Sequence, residues 1–257
     1  MSGGSSGTPE TLWGLKYMYP AGTGSASNTN VPWLFDRWSR QGIPGPGALP
    51  PTSAAAPTSS TQGAIPFTNA SGGRQKFVTS MAVRGPMGGY WVLYDRLLHM
   101  SGLDGTLTSA QTVGGSITRY TGGEGNQIWF ICYTEAGTTD RNITASYTNQ
   151  AGTASRTTQV IGGYGNEHLE NSFRILPLQA GDTGVRSVQS VTWGSAGGTA
   201  GDYGVVIAHP LMSTHPREST GMFDCSYPAI EDNACLAFAS VGAGSDVATW
   251  VISTVES

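Results

Sequence analysis

The sequence predicts an all-β protein, an antiparallel β-sandwich or jelly roll preceded by a long extended N-terminal arm. Three observations predict it. From Arg74 onward, short apolar runs follow one another with glycine-rich turns between them, and no long amphipathic helical period interrupts them. In Arg141 to Asn149 the apolar Ile143, Ala145 and Tyr147 alternate with Asn142, Thr144, Ser146 and Thr148, the period of a strand with one wet face. Residues 1–75 differ in composition: MSGGSSGTP, PAGTGSASNTN and IPGPGALPPTSAAAPTSSTQG hold too little apolar surface to build a core. The expected division is therefore an extended Pro/Gly/Ser-rich arm over 1–75 and a β-sandwich domain over 76–257.

Two apolar islands interrupt the arm, LWGLKYMY from Leu12 and VPWLFDRW from Val31. They make Trp13, Tyr17, Trp33, Phe35 and Trp38 the candidate anchors that fasten it, either to the chain's own β domain or to a partner. Deleting 1–72 is expected to leave a folded body. Pro32 is compatible with a short helical turn in the second island. Lys76 to Arg84 and Tyr90 to Tyr94 read as strands that can pair as a hairpin through GPMGG. Ser172 to Leu178, Val185 to Trp193, Tyr203 to Ala208, Ala234 to Val241 and Asp246 to Val255 continue the series, for a total of roughly ten to eleven strands. Val185, Val188 and Val191 break strict alternation, which in this Gly/Thr/Ser-rich setting points to a β-bulge.

Gln127 to Glu135 is apolar on both faces: Ile128, Phe130 and Cys132 point one way, and Trp129, Ile131 and Tyr133 the other. Such a strand needs two covers. One face is expected to fill the sandwich core. The other, with Trp129, Ile131 and Tyr133 as candidates, is expected to meet a second layer or a neighbouring subunit, the latter being favoured.

Charged residues are 12% of the 257, about half the usual share, and only two are lysines, Lys16 and Lys76. A surface so poor in charge suits contact with partners more than independent solubility. A net charge of −4 with scattered arginines lacks the basic stripe that nucleic acid requires. No apolar run approaches bilayer-spanning length, and MSGGSSGTPE lacks the features of a secretion signal, so the expectation is no membrane partner and synthesis in a cytosol. Cys132, Cys225 and Cys235 show no paired C-x-x-C spacing; Cys132 reads as core, and a Cys225–Cys235 pair is open.

No constellation carries convincing chemistry. His209 and His215 both precede proline, with Asp202 and Glu218 at unfixed distances, so nothing sets a metal-binding register. Glu167, His168 and Glu170 offer acid-base groups in one polar loop without a visible companion. Asp182 reads as a turn residue accepting hydrogen bonds, and Ser195 lacks a nucleophile elbow. Trp129, Trp193 and Trp250 could form a sugar-stacking platform, but tryptophans on strands are more often core. The expectation is no enzyme, no cofactor and no metal.

Tyr90 to Asp104, Tyr133 to Thr158 and Leu176 to Leu211 resemble capsid-associated virion structural proteins of tailed bacteriophages, the most specific stretches being SYTNQAGTASRTT and LQAGDTGVRSVQSVT. The resemblance covers about half of the β domain and none of the arm. It implies a cement or decoration protein on the capsid exterior, made in the host bacterial cytoplasm. Such a protein binds the major capsid protein, is often trimeric, and has no active site. The alternative is a tail, baseplate or fibre component that binds a host receptor or glycan; a glycan-degrading enzyme is the more distant reading.

Overall fold

The computed structural model describes residues 9–17, 33–34, 50–61, 63–84, 90–134, 136–137, 139–162, 173–214, 227–241 and 247–257. Fourteen strands lie among them: β1 (Glu10–Tyr17), β2 (Trp33–Leu34), β3 (Lys76–Arg84), β4 (Tyr90–Leu103), β5 (Gln111–Thr112), β6 (Gln127–Thr134), β7 (Ile143–Asn149), β8 (Arg156–Thr157), β9 (Phe173–Leu176), β10 (Val185–Trp193), β11 (Asp202–Thr214), β12 (Ala229–Ile230), β13 (Leu236–Val241) and β14 (Val247–Glu256). No described residue is helical, and the expected all-β class is the observed one. Trp33 and Leu34 form a short strand where a helical turn was compatible.

The strands form three antiparallel sheets. A six-stranded sheet of order β2-β13-β4-β11-β6-β9 is the long layer, with four-stranded sheets of order β1-β14-β3-β12 and β5-β10-β7-β8. One face of the long sheet packs against both smaller ones. At one end Leu97, Leu98 and Met100 of β4, Phe130 of β6 and Val205 and Ile207 of β11 meet Ile143, Tyr147, Val188 and Trp193 of the β5-β10-β7-β8 sheet. At the other, Trp91 and Leu93 of β4, Leu211 of β11 and Phe238 of β13 meet Val78, Met81, Val83, Trp250 and Ile252. Side chains of period 2 on the long strands β4 and β11 thus serve two cores in succession.

Local detail follows the residue types. Val185, Val188 and Val191 all reach full burial because the β10–β7 register shifts between Val185 and Ser187 and again between Val188 and Ser190, as the sequence suggested. Pro210 sits inside β11 at another register shift, where no regular ladder donor is lost. β3 and β4, expected as a hairpin, belong to different sheets. The physical reason is that the buried residues of β3, Val78, Met81 and Val83, fill a core against the opposite layer, and β3 pairs instead with β14 and β12.

The seam between the two cores is polar. Asp95 of β4, fully buried, receives Arg119 through Nε at 2.7 Å and Nη2 at 2.9 Å, and the Cys235 amide at 2.7 Å. Arg119 also donates to the carbonyls of Pro57 and Arg96. Tyr120 contacts both cores, stacks on His209 with ring centroids 3.8 Å apart, and donates its hydroxyl to the Ala229 carbonyl. A buried ion pair with every neighbour satisfied is the arrangement that tolerates burial of charge.

Residues 1–75 are extended where they are described, but they do not stand apart from the body. β1 pairs with β14 over eight residues. β2 pairs with β13. Residues 50–65 run along the edge of β4 that β13 leaves open: the Ser101 amide donates to the Pro51 carbonyl, Ala55 and His99 exchange backbone bonds, and the Ile65 amide donates to the Leu236 carbonyl. Ala64 and Ile65 are 1% and 2% exposed, so this stretch belongs to the core. A Pro/Ala/Ser-rich chain joins a fold in this way because an open sheet edge supplies the hydrogen bonds that its side chains do not.

Candidate functional site

The residues singled out for chemistry are not gathered. His209 lies in the seam, its Nδ1 2.8 Å from Asn126 Oδ1, and burial lowers its pKa from the usual imidazole value. Asp202 accepts the Gly102 amide at 2.8 Å, and Ser195 is exposed in the turn after β10. Glu167, His168, Glu170, His215 and Glu218 lie outside the described residues. Among the described residues no group of three His, Cys, Asp or Glu side chains could hold a metal ion, and no helix is long and apolar enough to cross a membrane. Cys132 and Cys235 are buried free thiols; Arg96 Nη2 lies 3.1 Å from Cys235 Sγ, and Cys225 is outside the described residues.

Asp182 has a more specific setting than a turn residue needs. Its carboxylate accepts Tyr147 Oη at 2.5 Å, Asn149 Nδ2 at 2.7 Å, and Arg156 Nε and Nη2 at 2.9 and 3.1 Å. Arg156 above all, with Tyr147 and Asn149, holds the carboxyl down at about 2. Tyr147 Oη in turn accepts the Gln179 amide at 2.8 Å. The two stretches that carry the resemblance, 146–158 and 178–192, are thereby locked into one unit. Nearby, Gly184 bridges Glu124, and a Cβ on Gly184 would stand 1.9 Å from the Gly123 carbonyl oxygen, so only glycine permits the approach.

Beside this cluster, a shallow cleft of about 470 Å³ is lined by Asn126, Gln127, Gln159, Gln179, Thr183 and Ile175, among others. Ile175 is 43% exposed on β9, which ends the six-stranded sheet, and Val160, next to Gln159, is 63% exposed. Amides and two open aliphatic side chains form a neutral contact face.

The strand proposed as a subunit interface is placed differently. β6 lies between β11 and β9, and Trp129, Ile131 and Tyr133 are 1%, 0% and 2% exposed within the single chain. They form a third apolar cluster with Tyr94, Phe173 and Val206 on the face of the long sheet opposite the other two cores. Trp129 stacks on Phe173 at 4.5 Å, and Tyr133 Oη hydrogen-bonds His99 Nε2. The correction is that these three residues are core and not an interface: both faces of β6 are covered within one chain. Trp193 and Trp250, 1% and 2% exposed, are equally unable to offer a sugar platform. Of the anchors, Trp13 and Tyr17 lie on β1 and Trp33 on β2, so their backbones are strand-paired to the body; Phe35 and Trp38 lie outside the described residues.

The sequence reading passed over one site on β1. Lys76, 1% exposed, places Nζ 2.7 Å from Glu10 Oε2 and 3.6 Å from Glu256 Oε1. Glu10 also accepts the Thr68 amide and hydroxyl, both at 3.1 Å through Oε1. The signal available was the isolated lysine opening a strand in a chain with two lysines in all. The Asp95–Arg119 pair gave no such signal, since 24 positions separate its members.

No protein family model and no curated protein matches the chain. Solved structures do. The infectious bursal disease virus VP2 subviral particle aligns at 10% identity over 98% of this chain and 80% of that one, with a TM-score of 0.23. Infectious bursal disease virus of the Gx strain aligns at 11% identity over 98% and 81%, again with a TM-score of 0.23. At that TM-score the similarity carries no argument about fold or function.

Proposed function

We propose that this is a virion structural protein of a tailed bacteriophage, a cement or decoration protein that binds the major capsid protein on the capsid exterior. It acts as a homo-oligomer, a trimer in the form the resemblance implies, after synthesis in the host bacterial cytoplasm. It uses no cofactor and catalyses no reaction. The observation that carries this reading is the neutral face formed by the amide-lined cleft with Ile175 and Val160, directly beside the Asp182 cluster that locks together the two resembling stretches. Amides pair with backbone and amide groups of a protein partner, and the aliphatic pair adds apolar burial. Each copy that bridges two capsomers buries surface that must be exposed before they separate, so bound copies stabilise the shell by mass action. The tail or fibre reading relied on exposed strand tryptophans, and Trp129, Trp193 and Trp250 are buried.

The test is co-sedimentation of purified protein with shells stripped of it, together with the temperature at which those shells release DNA. Saturable binding and a raised release temperature are expected, with a loss of at least tenfold in affinity for Val160→Asp combined with Ile175→Asp. Shells that neither bind the protein nor gain stability would sink the reading.

A further inference from the structure

β1 is joined to β14 as a separable element. Its described hold on the body is an eight-residue antiparallel ladder, the partly buried Leu12 against the second core, and the Glu10 carboxylate seated on Lys76 and Thr68. The ladder's partner, β14, and the flanking β3 come from residues 76–84 and 247–256, far along the chain. We infer that the β14 edge with its Lys76 socket is a docking site for β1 of a second copy, so that neighbouring copies are tied by exchanged N-terminal strands. The inference rests on the assembly reading above and names the partner as the chain itself.

The argument is one of identity and reach. A second copy offers the same ladder and the same carboxylate, so exchange changes no contact and its balance is set by the connecting chain alone. Between β1 and β2 lie residues 18–32, MYPAGTGSASNTNVP. Fifteen residues span up to about 50 Å when extended. A domain of 257 residues has a radius of gyration of about 18 Å, so that span carries β1 past the edge of its own body. A strand tethered by a short flexible linker meets its own site at an effective concentration on the order of millimolar, and copies held side by side on a lattice reach the same range. The socket adds selectivity: Lys76, nearly fully buried, needs a second carboxylate beside Glu256, and Glu10 sits in the register that supplies it, opposite Thr254.

Thr11, exposed, faces Ser253 in the ladder. Directly opposed antiparallel residues have Cα atoms about 4.5–5.5 Å apart, within disulfide reach. In a Cys225→Ser background, Thr11→Cys protein and Ser253→Cys protein are refolded together and oxidised at concentrations from about 1 µM to about 1 mM. Exchange predicts a heterodimer disulfide-linked between positions 11 and 253, located by peptide mass spectrometry, whose yield rises at least tenfold over that range. Native mass spectrometry of the unsubstituted chain, refolded from equal ¹⁴N and ¹⁵N copies, should give a dimer of intermediate mass. The proposal is overturned if no linked heterodimer forms while the double variant Thr11→Cys/Ser253→Cys closes within one chain, or if the unsubstituted chain stays monomeric throughout. The pure protein suffices for this test, so its failure leaves attachment to shells untouched.

Discussion

Arg156 on β8 grips Asp182 through two nitrogens, at 2.9 and 3.1 Å, and so fastens the outermost strand of the β5-β10-β7-β8 sheet to the turn that leads into β10. Tyr147 and Asn149 of β7 donate to the same carboxylate. One side chain thus ties three strands at one end of the sandwich.

Because this carboxyl is held at about 2, below the unfolded value near 3.9, its contribution to stability is full above the unfolded value and is lost as pH falls through the folded one. The melting temperature of the unsubstituted protein should therefore fall between about pH 5 and pH 2. Asp182→Asn should melt lower at neutral pH and show a shallower decline across that window. Parallel melting curves for the two proteins would refute the assignment.

Trp129→Ala should cost about 3–5 kcal/mol and Ile131→Val about 1 kcal/mol in urea unfolding, since both side chains are core. Ile131→Asp should give no folded protein. A soluble, folded monomer from Ile131→Asp would return this strand to an interface role.

Deleting residues 1–72 should abolish folding, against the expectation from composition, because it removes β1, the edge segment at 50–61 and the buried Ala64 and Ile65. The milder Glu10→Gln leaves buried Lys76 with Glu256 alone and should cost about 1–3 kcal/mol. Circular dichroism of the truncated chain and urea melts of the point variant check the two.

Asp95→Ala leaves the Arg119 guanidinium buried without its carboxylate and should cost about 3–5 kcal/mol. By contrast, Glu167→Ala, Glu170→Ala, His209→Ala and His215→Ala together should leave shell binding unchanged, with any loss confined to the packing of His209 on Tyr120. Glycan cleavage that disappears in this variant would show a catalytic role for the loops.

The sequence by itself determined the class and much of the strand pattern: the alternation of Ile143, Ala145 and Tyr147, the doubly apolar run at β6 and the valine bulge in β10 are all local properties of the chain. It also showed that β6 needs two covers. What covers the second face, which sheet takes β3, and where the first 75 residues run were decided only by the tertiary structure. These depend on hydrogen-bonding edges and on partners far apart in sequence. Glu10 with Lys76, Asp95 with Arg119 and Arg156 with Asp182 are separated by 66, 24 and 26 positions, and composition is blind to all three. A proline- and serine-rich segment without a core of its own is indistinguishable, residue by residue, from one that borrows the edge of a sheet. Only the fold supplies that edge.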